Sequence, residues 1–233
     1  DARFALNWCA QPDFRFDAKG VLEMHDAALG WERAEIAALQ ARLQLDGLQP
    51  MRGNIRIAAQ RGELATGTSL SDLNVDLTLS PTELAVNALH VGLLGGTMQA
   101  EPIILPWPSL ERPLPLIIHR FDLGQLLALP AVQGLSGSGQ LDGILPFTYR
   151  DGGVEINDGQ LNSHGTGTIR YAPTLAIPDN PGLQALRNFQ FRQLGTRVWY
   201  ASDGAYRMQA KLEGNNPDFY SGYIMSGGMK LLG

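Results

Sequence analysis

The feature that most limits what this chain can fold into is a period of two. In "DLNVDLTL", Leu73, Val75, Leu77 and Leu79 alternate with Asp72, Asn74, Asp76 and Thr78. In "ALQARLQLD", Leu39, Ala41, Leu43 and Leu45 alternate with Gln40, Arg42, Gln44 and Asp46. In "AYRMQAKLEG", Tyr206, Met208, Ala210 and Leu212 alternate with Arg207, Gln209 and Lys211. Successive side chains of a strand point to opposite sides of its sheet, so each stretch predicts a strand with one polar and one apolar face.

Turn chemistry interrupts these runs at Gly47, Gly62, Gly95-Gly96, Asp151-Gly152-Gly153, Asp158-Gly159 and Asp203-Gly204. Asp-Gly supplies the positive φ angles of tight hairpins, so the expectation is a meander of roughly 12 to 15 short strands turning about every ten residues. Helical signals are confined to two short segments. "DLGQLLAL" has Asp122 as N-cap, Leu123, Leu126 and Leu127 to bury, and Pro130 as its stop. "NPGLQALRN" has Asn180 as cap and Pro181 at the first helical position. The five prolines of the 102–115 segment make it the best linker candidate, but strand patterning resumes on both sides, so it is expected to cross an edge or end of the sheet. Residues 1–233 therefore read as one β-rich domain. The chain starts at Asp1, and "RFALNW" already reads like mid-strand, so it is expected to be a fragment of something longer.

Chemistry is harder to find. The net charge is −5 with no Lys/Arg cluster, which argues against nucleic acid as a partner, because phosphate binding relies on concentrated cations. The single cysteine, Cys9, excludes an internal disulfide and a cysteine-based zinc site. No apolar run approaches the roughly 20 residues of a membrane-crossing helix. Gly137-Ser138-Gly139 resembles a phosphate-cradling loop, but the dinucleotide fingerprint needs a helix opening at its glycines, and Gly143 and Pro146 follow instead. The G-x-S-x-G nucleophile motif fails at Ser138. His25, His90, His119 and His164 lie far apart, without metal-like spacing. Trp8, Trp31, Trp107 and Trp199 fit core or rim packing better than a sugar cleft, and no cofactor is implied.

The apolar face is what remains. A many-stranded sheet with almost no helix to cover it must close into a barrel, stack as two sheets, or leave an apolar groove open. About 14 strands at ~4.8 Å spacing would extend nearly ~70 Å, a distance suited to bridging. The expected fold is mainly β: an elongated, strongly curved and twisted antiparallel sheet with an open hydrophobic groove and one or two short helices. Candidate lining residues are Leu43, Leu45, Ile55, Ile57, Leu73, Val75, Leu77, Leu79, Leu84, Val86, Ile144, Phe147, Val154, Ile156, Met208 and Leu212. Each position fits either groove lining or core. Pro146 cannot donate to a ladder, so it belongs at an edge or bulge.

The tract from Gly134 to Pro146, the turn from Asn157 to Leu161 and the close from Gly167 to Tyr171 together resemble the signature segment of the YdbH-like proteins, within the AsmA/TamB-like group. "LLGGTMQAEP", "FDLGQLLAL" and "LEGNNPDFY" are similar to that family as well. The resemblance covers about residues 30 to 220. It implies part of a periplasmic protein of Gram-negative bacteria, anchored in the inner membrane by an N-terminal helix. It further implies a taco-like sheet whose groove conducts phospholipid acyl chains toward the outer membrane, no enzymatic activity, and a small outer-membrane lipoprotein that extends the sheet by strand pairing at the C-terminal end. A structural β scaffold of the envelope without a ligand is the alternative. The tail "SGYIMSGGMKLLG" reads as irregular where the family would continue with alternating strands.

Overall fold

The computed structural model describes residues 1–9, 15–31, 34–64, 67–129, 134–150, 153–172, 186–218 and 225–232. The chain is mainly β, and its strands belong to a large antiparallel sheet that does not close on itself. By the density of its internal packing the chain divides into two units. The first comprises Asp1–Leu93 and Met98–Leu114, the second Leu94–Thr97 and Pro115–Gly233. One division thus falls at the end of the proline-rich segment.

Unit 1 holds β1 (Ala2–Cys9), β2 (Arg15–Trp31), β3 (Ala34–Leu48), β4 (Met51–Leu64), β5 (Ser69–Leu79), β6 (Glu83–Leu93) and β8 (Ile103–Pro106). β7 (Gly96–Ala100) straddles the division. β1 to β6 are hydrogen-bonded in chain order, and β8 pairs with β6. The strands are longer than the turn residues suggest, β2 reaching 17 residues. Gly62 interrupts nothing; it lies inside β4. The reason is a set of neighbouring irregularities. On β3, β4 and β5 apolar residues are three apart instead of two at the same place, Ile36 and Leu39, Ala59 and Gly62, Leu70 and Leu73, and on β2 one row away, Met24 and Ala27. In β2, β3 and β5 the intervening residues Asp26, Ala38 and Asp72 take positive φ, of 49°, 53° and 50°. Two successive residues then face the same side, the strand bends without ending, and the apolar set stays on one face.

Unit 2 holds β9 (Leu114–Asp122), α1 (Leu123–Leu127), β10 (Leu135–Ser138), β11 (Gln140–Arg150), β12 (Gly153–Ser163), β13 (Gly167–Tyr171), a 3₁₀ turn (Leu186–Asn188), β14 (Phe189–Tyr200), β15 (Tyr206–Asn215) and β16 (Met225–Leu232). The order runs β9-β11-β12-β14-β13-β10, with β15 on β14 and β16 on β15. Helix α1 forms as expected: the Asp122 carboxylate accepts the Gln125 backbone N–H at 2.8 Å, and Leu123 and Leu127 are buried. Asn180 and Pro181 lie outside the described residues. Gly137 and Gly139 serve this packing. A Cβ on Gly137 would stand 3.1 Å from Leu127 Cδ1 of the helix, and one on Gly139 would stand 3.0 Å from the Phe191 ring, the largest fully buried side chain among the described residues. The stretch that resembles a phosphate loop is therefore strand and bend, shaped to seat α1 and Phe191.

In the tail, Met225–Leu232 is a strand. Met225, Gly227, Met229 and Leu231 stand opposite Gly214, Leu212, Ala210 and Met208 of β15, while Ser226 and Lys230 stand opposite Glu213 and Gln209. Two glycines hide the alternation in the sequence, and the register on β15 restores it.

Candidate functional site

Cross-strand partners share a face, so the register of unit 1 can be followed as rows across the sheet. One row is Gly20, Leu45, Gly53, Leu79, Leu84 and Leu105. The next is Leu22, Leu43, Ile55, Leu77, Val86 and Ile103. Then come Met24, Ala41, Ile57, Val75 and Leu89, and beyond them Ala27, Leu39, Ala59 and Leu73. No polar side chain occurs in these four rows. Leu39 (3% exposed) and Ala59 (4%) form a buried core, packed by Met24, Ala27, Ile57 and Leu73 beside the bulge row. Away from it the face opens: Leu43 is 37% exposed, and Leu45, Ile55, Leu77 and Leu79 are half-buried. Every described regular element of unit 1 is a strand, so within the unit no described helix lies over this layer.

The reverse face is mostly polar, with Val21, Ala85, Ala88 and Ile104 among its residues, and its central polar groups are paired. The Arg56 guanidinium meets Asp76 at 2.9 Å, and the Asn87 amide donates to Asp76 and to the Thr78 hydroxyl. Thr78 in turn donates to Asn54. The Asn87 hydrogen bond, with Arg56 beside it, holds the Asp76 carboxyl below the usual carboxylate range. These exposed pairs add little free energy each. Their effect is on register, because one residue of slip would bring this polar set onto the apolar side.

Unit 2 repeats the division. Leu194, Thr196, Val198 and Tyr200 of β14 stand opposite Leu212, Ala210, Met208 and Tyr206 of β15. On the other side Leu161, Gly159 and Ile156 of β12 stand opposite Thr196, Val198 and Tyr200. The back of the same strands carries Arg197, Trp199, Arg207, Gln209 and Lys211. Arg197 forks onto Asp158 with two hydrogen bonds of 2.6 Å, which hold that carboxyl low, and Arg207 stacks on Trp199 at 4.0 Å. Nearby, Asp142 accepts the Arg120 backbone N–H at 2.8 Å and lies 2.6 Å from His164 Nδ1. Partial burial pushes the Asp142 carboxyl up, but these partners outweigh it and the net direction is down. Among the described residues no three His, Cys, Asp or Glu side chains converge as metal ligands.

Ten of the sixteen candidate residues lie in the unit 1 rows: Leu43, Leu45, Ile55, Ile57, Leu73, Val75, Leu77, Leu79, Leu84 and Val86. Val86 is buried and the others are not fully so, apart from the exposed Leu43. Phe147 and Ile156 are partners in unit 2, Val154 and Met208 lie on the same face half-buried, and Leu212 is buried. Ile144 sits elsewhere. It stands opposite Gln160, on the face of Arg197, and is 50% exposed. Ile144 and Phe147 could share a face only if β11 carried an extra residue at Pro146. The bulge lies across from Pro146, on β12, where Asp158 takes φ 60°. β11 therefore keeps its alternation and Leu145 takes the place on the apolar side, against Gly159 and Ile156. The sequence reading also missed Leu22, Met24 and Leu89, which carry the rows onto β2 and β6; spacings of three at Met24 and Ala27 obscured them.

The family model described as Intermembrane phospholipid transport protein YdbH, of the YdbH-like family, matches residues 8–224. Among curated proteins and among solved structures none matches.

Proposed function

Because this chain belongs to the YdbH-like family of intermembrane phospholipid transport proteins, we propose that the apolar faces of its sheet carry phospholipid acyl chains across the space between two membranes. The observation that supports this is the run of four cross-strand rows without one polar side chain, partly open to solvent, backed by a mostly polar face. A diacyl lipid exposes about 30 methylenes, each costing roughly 0.8 kcal/mol in water. A face of Leu, Ile, Val and Ala replaces most of that contact without selecting a headgroup, so transfer needs neither a nucleophile nor a cofactor. Lining then falls to the exposed Leu43 and the half-buried Leu45, Ile55, Leu77 and Val75 in unit 1 and Phe147, Ile156 and Met208 in unit 2. Leu39, Val86 and Leu212 serve as core.

Work between two membranes places the chain in the periplasm. Among the described residues no helix is long and apolar enough to cross a membrane, and an inner-membrane anchor would belong to an N-terminal segment outside this sequence. A small outer-membrane lipoprotein would add a strand to β16, whose described pairing is with β15.

A photo-crosslinker at Leu77 tests the reading, with Asp76 on the opposite face as control. Lipid adducts at Leu77 and not at Asp76 support it. Equal yields, or none at Leu77 while the native mass spectrum shows no co-purified phospholipid, favour a scaffold with a closed core.

A further inference from the structure

Taking the acyl-carrying face as given, we infer that one end of the unit 2 sheet is a membrane-seating edge that takes the headgroup–glycerol layer of a phospholipid bilayer. At this end β11 finishes at Arg150, β12 begins at Gly153, β14 finishes at Tyr200 and β15 begins at Tyr206. The ends form one edge: a Cβ on Gly153 would stand 2.6 Å from Ser202 Cβ, so the start of β12 touches the β14–β15 turn. On the apolar side the last full row is Phe147, Ile156, Tyr200 and Tyr206, with Val154 and Tyr149 paired one step further out. Aliphatic residues thus give way to tyrosines in the last rows, just inside the exposed 201–205 turn and Arg150. Tyr149 is 49% and Tyr200 38% exposed, behind the exposed turn residues Ser202, Asp203 and Gly204. On the back of the same edge Trp199 lies under Arg207, 4.0 Å from ring centre to guanidinium carbon.

Rings that carry a polar tip settle where hydrocarbon meets headgroups, which is why Tyr and Trp form belts at that depth. A lipid-carrying face that ends in such residues can be continuous with a bilayer at the level where a phospholipid enters or leaves. The charges decide how the edge binds. The described charged groups there are Arg150, Arg197, Arg207 and, in the row of Arg197, Lys230 against Glu155, Asp158 and Asp203, a near balance. The whole chain carries −5. An anionic surface is therefore not what draws it, and aromatic insertion outweighs electrostatic adsorption.

Flotation of the 233-residue chain with phosphatidylethanolamine–phosphatidylcholine vesicles free of anionic lipid tests this. The expected result is binding that changes less than about threefold as salt rises to a level that screens charges over a few ångströms. Tyr149→Ser with Tyr200→Ser should lower it about tenfold, and Tyr→Phe at both positions should restore most of it. Ile144→Ser, at an equally exposed residue on the polar face, serves as control and should leave binding within about twofold. Native mass spectra separate this inference from the transport reading: the double Ser variant should still co-purify with phospholipid. Loss of bound lipid together with vesicle binding would make these tyrosines lining rather than edge and overturn the inference. So would an equal loss in Ile144→Ser, binding that needs anionic lipid and collapses in salt, or a chain that ignores vesicles and sediments as a dimer through this end. A wild-type chain that floats with vesicles but never carries lipid would sink the transport reading and leave the edge standing.

Discussion

Leu39 and Leu43 sit on the same strand and the same face, two periods of the alternation apart, and they should answer truncation differently. Leu39 is 3% exposed and packed in a buried core with Ala59, whereas Leu43 is 37% exposed. Leu→Ala removes three carbons, worth about 2.4 kcal/mol of transfer free energy at ~0.8 kcal/mol each. At Leu39 a residual cavity adds to that, giving a loss of about 3 kcal/mol. At Leu43 only about three fifths of the side chain leaves solvent and no closed cavity forms, so the loss is about 1.5 kcal/mol. Urea unfolding followed by circular dichroism measures both, and an unchanged slope with denaturant would show that the unfolded state is not the cause. The lipid readout should run the other way. Leu43→Asp keeps the fold but removes phospholipid from the native mass spectrum, while Leu39→Asp does not fold. Equal stability losses at the two leucines would refute the division of this face into a packed strip and an open strip. Undiminished lipid in Leu43→Asp would refute the open strip as the acyl-chain path.

Three further outcomes follow from the packing. Gly143→Ala drives a Cβ into the Gln160 carbonyl oxygen across the β11–β12 pair; thermal melts should show a loss of about 1–3 kcal/mol, and a neutral result would mean the strands can separate locally at no cost. Asp122→Ala deprives α1 of its N-cap bond and should cost about 1 kcal/mol, with exchange of the Gln125 amide speeding up. The carboxyls of Asp76 and Asp142 are held low in the folded protein, so their contribution is present above about pH 4 and is lost as pH falls through the depressed folded values. Asp76→Asn should flatten that acid limb of a stability–pH profile, and a profile unchanged below about pH 4 would contradict it.

The class of fold was legible because it rests on local rules. One-for-one alternation in 73–79 and 206–212, the Asp203-Gly204 turn and the scarcity of capped apolar helices dictate half-buried strands wherever those residues end up, whereas Asp158-Gly159, expected as a turn, lies inside β12. The helix at Asp122 was equally legible, since an N-cap, a two-turn apolar stripe and a stopping proline act within ten residues. The apolar nature of the sheet's face followed from the same pattern, and most residues chosen from it do lie in continuous rows.

What the sequence could not decide is everything that depends on a neighbouring strand. Alternation names two faces but does not say where an extra residue reverses them. The neighbouring irregularities at Asp26, Ala38 and Asp72 carry one apolar face through spacings of three, and nothing in Ala38 itself signals a left-handed backbone. Ile144 and Leu145 exchange roles because the bulge is on β12 and not on β11. The glycine-rich tail becomes a strand only when β15 lends it a register. Sequence by itself determined that this chain forms a sheet with a greasy side, because side-chain direction in a strand is set residue by residue. Tertiary structure alone decided which greasy residues are packed and which stay open, because burial depends on partners that lie far apart along the chain.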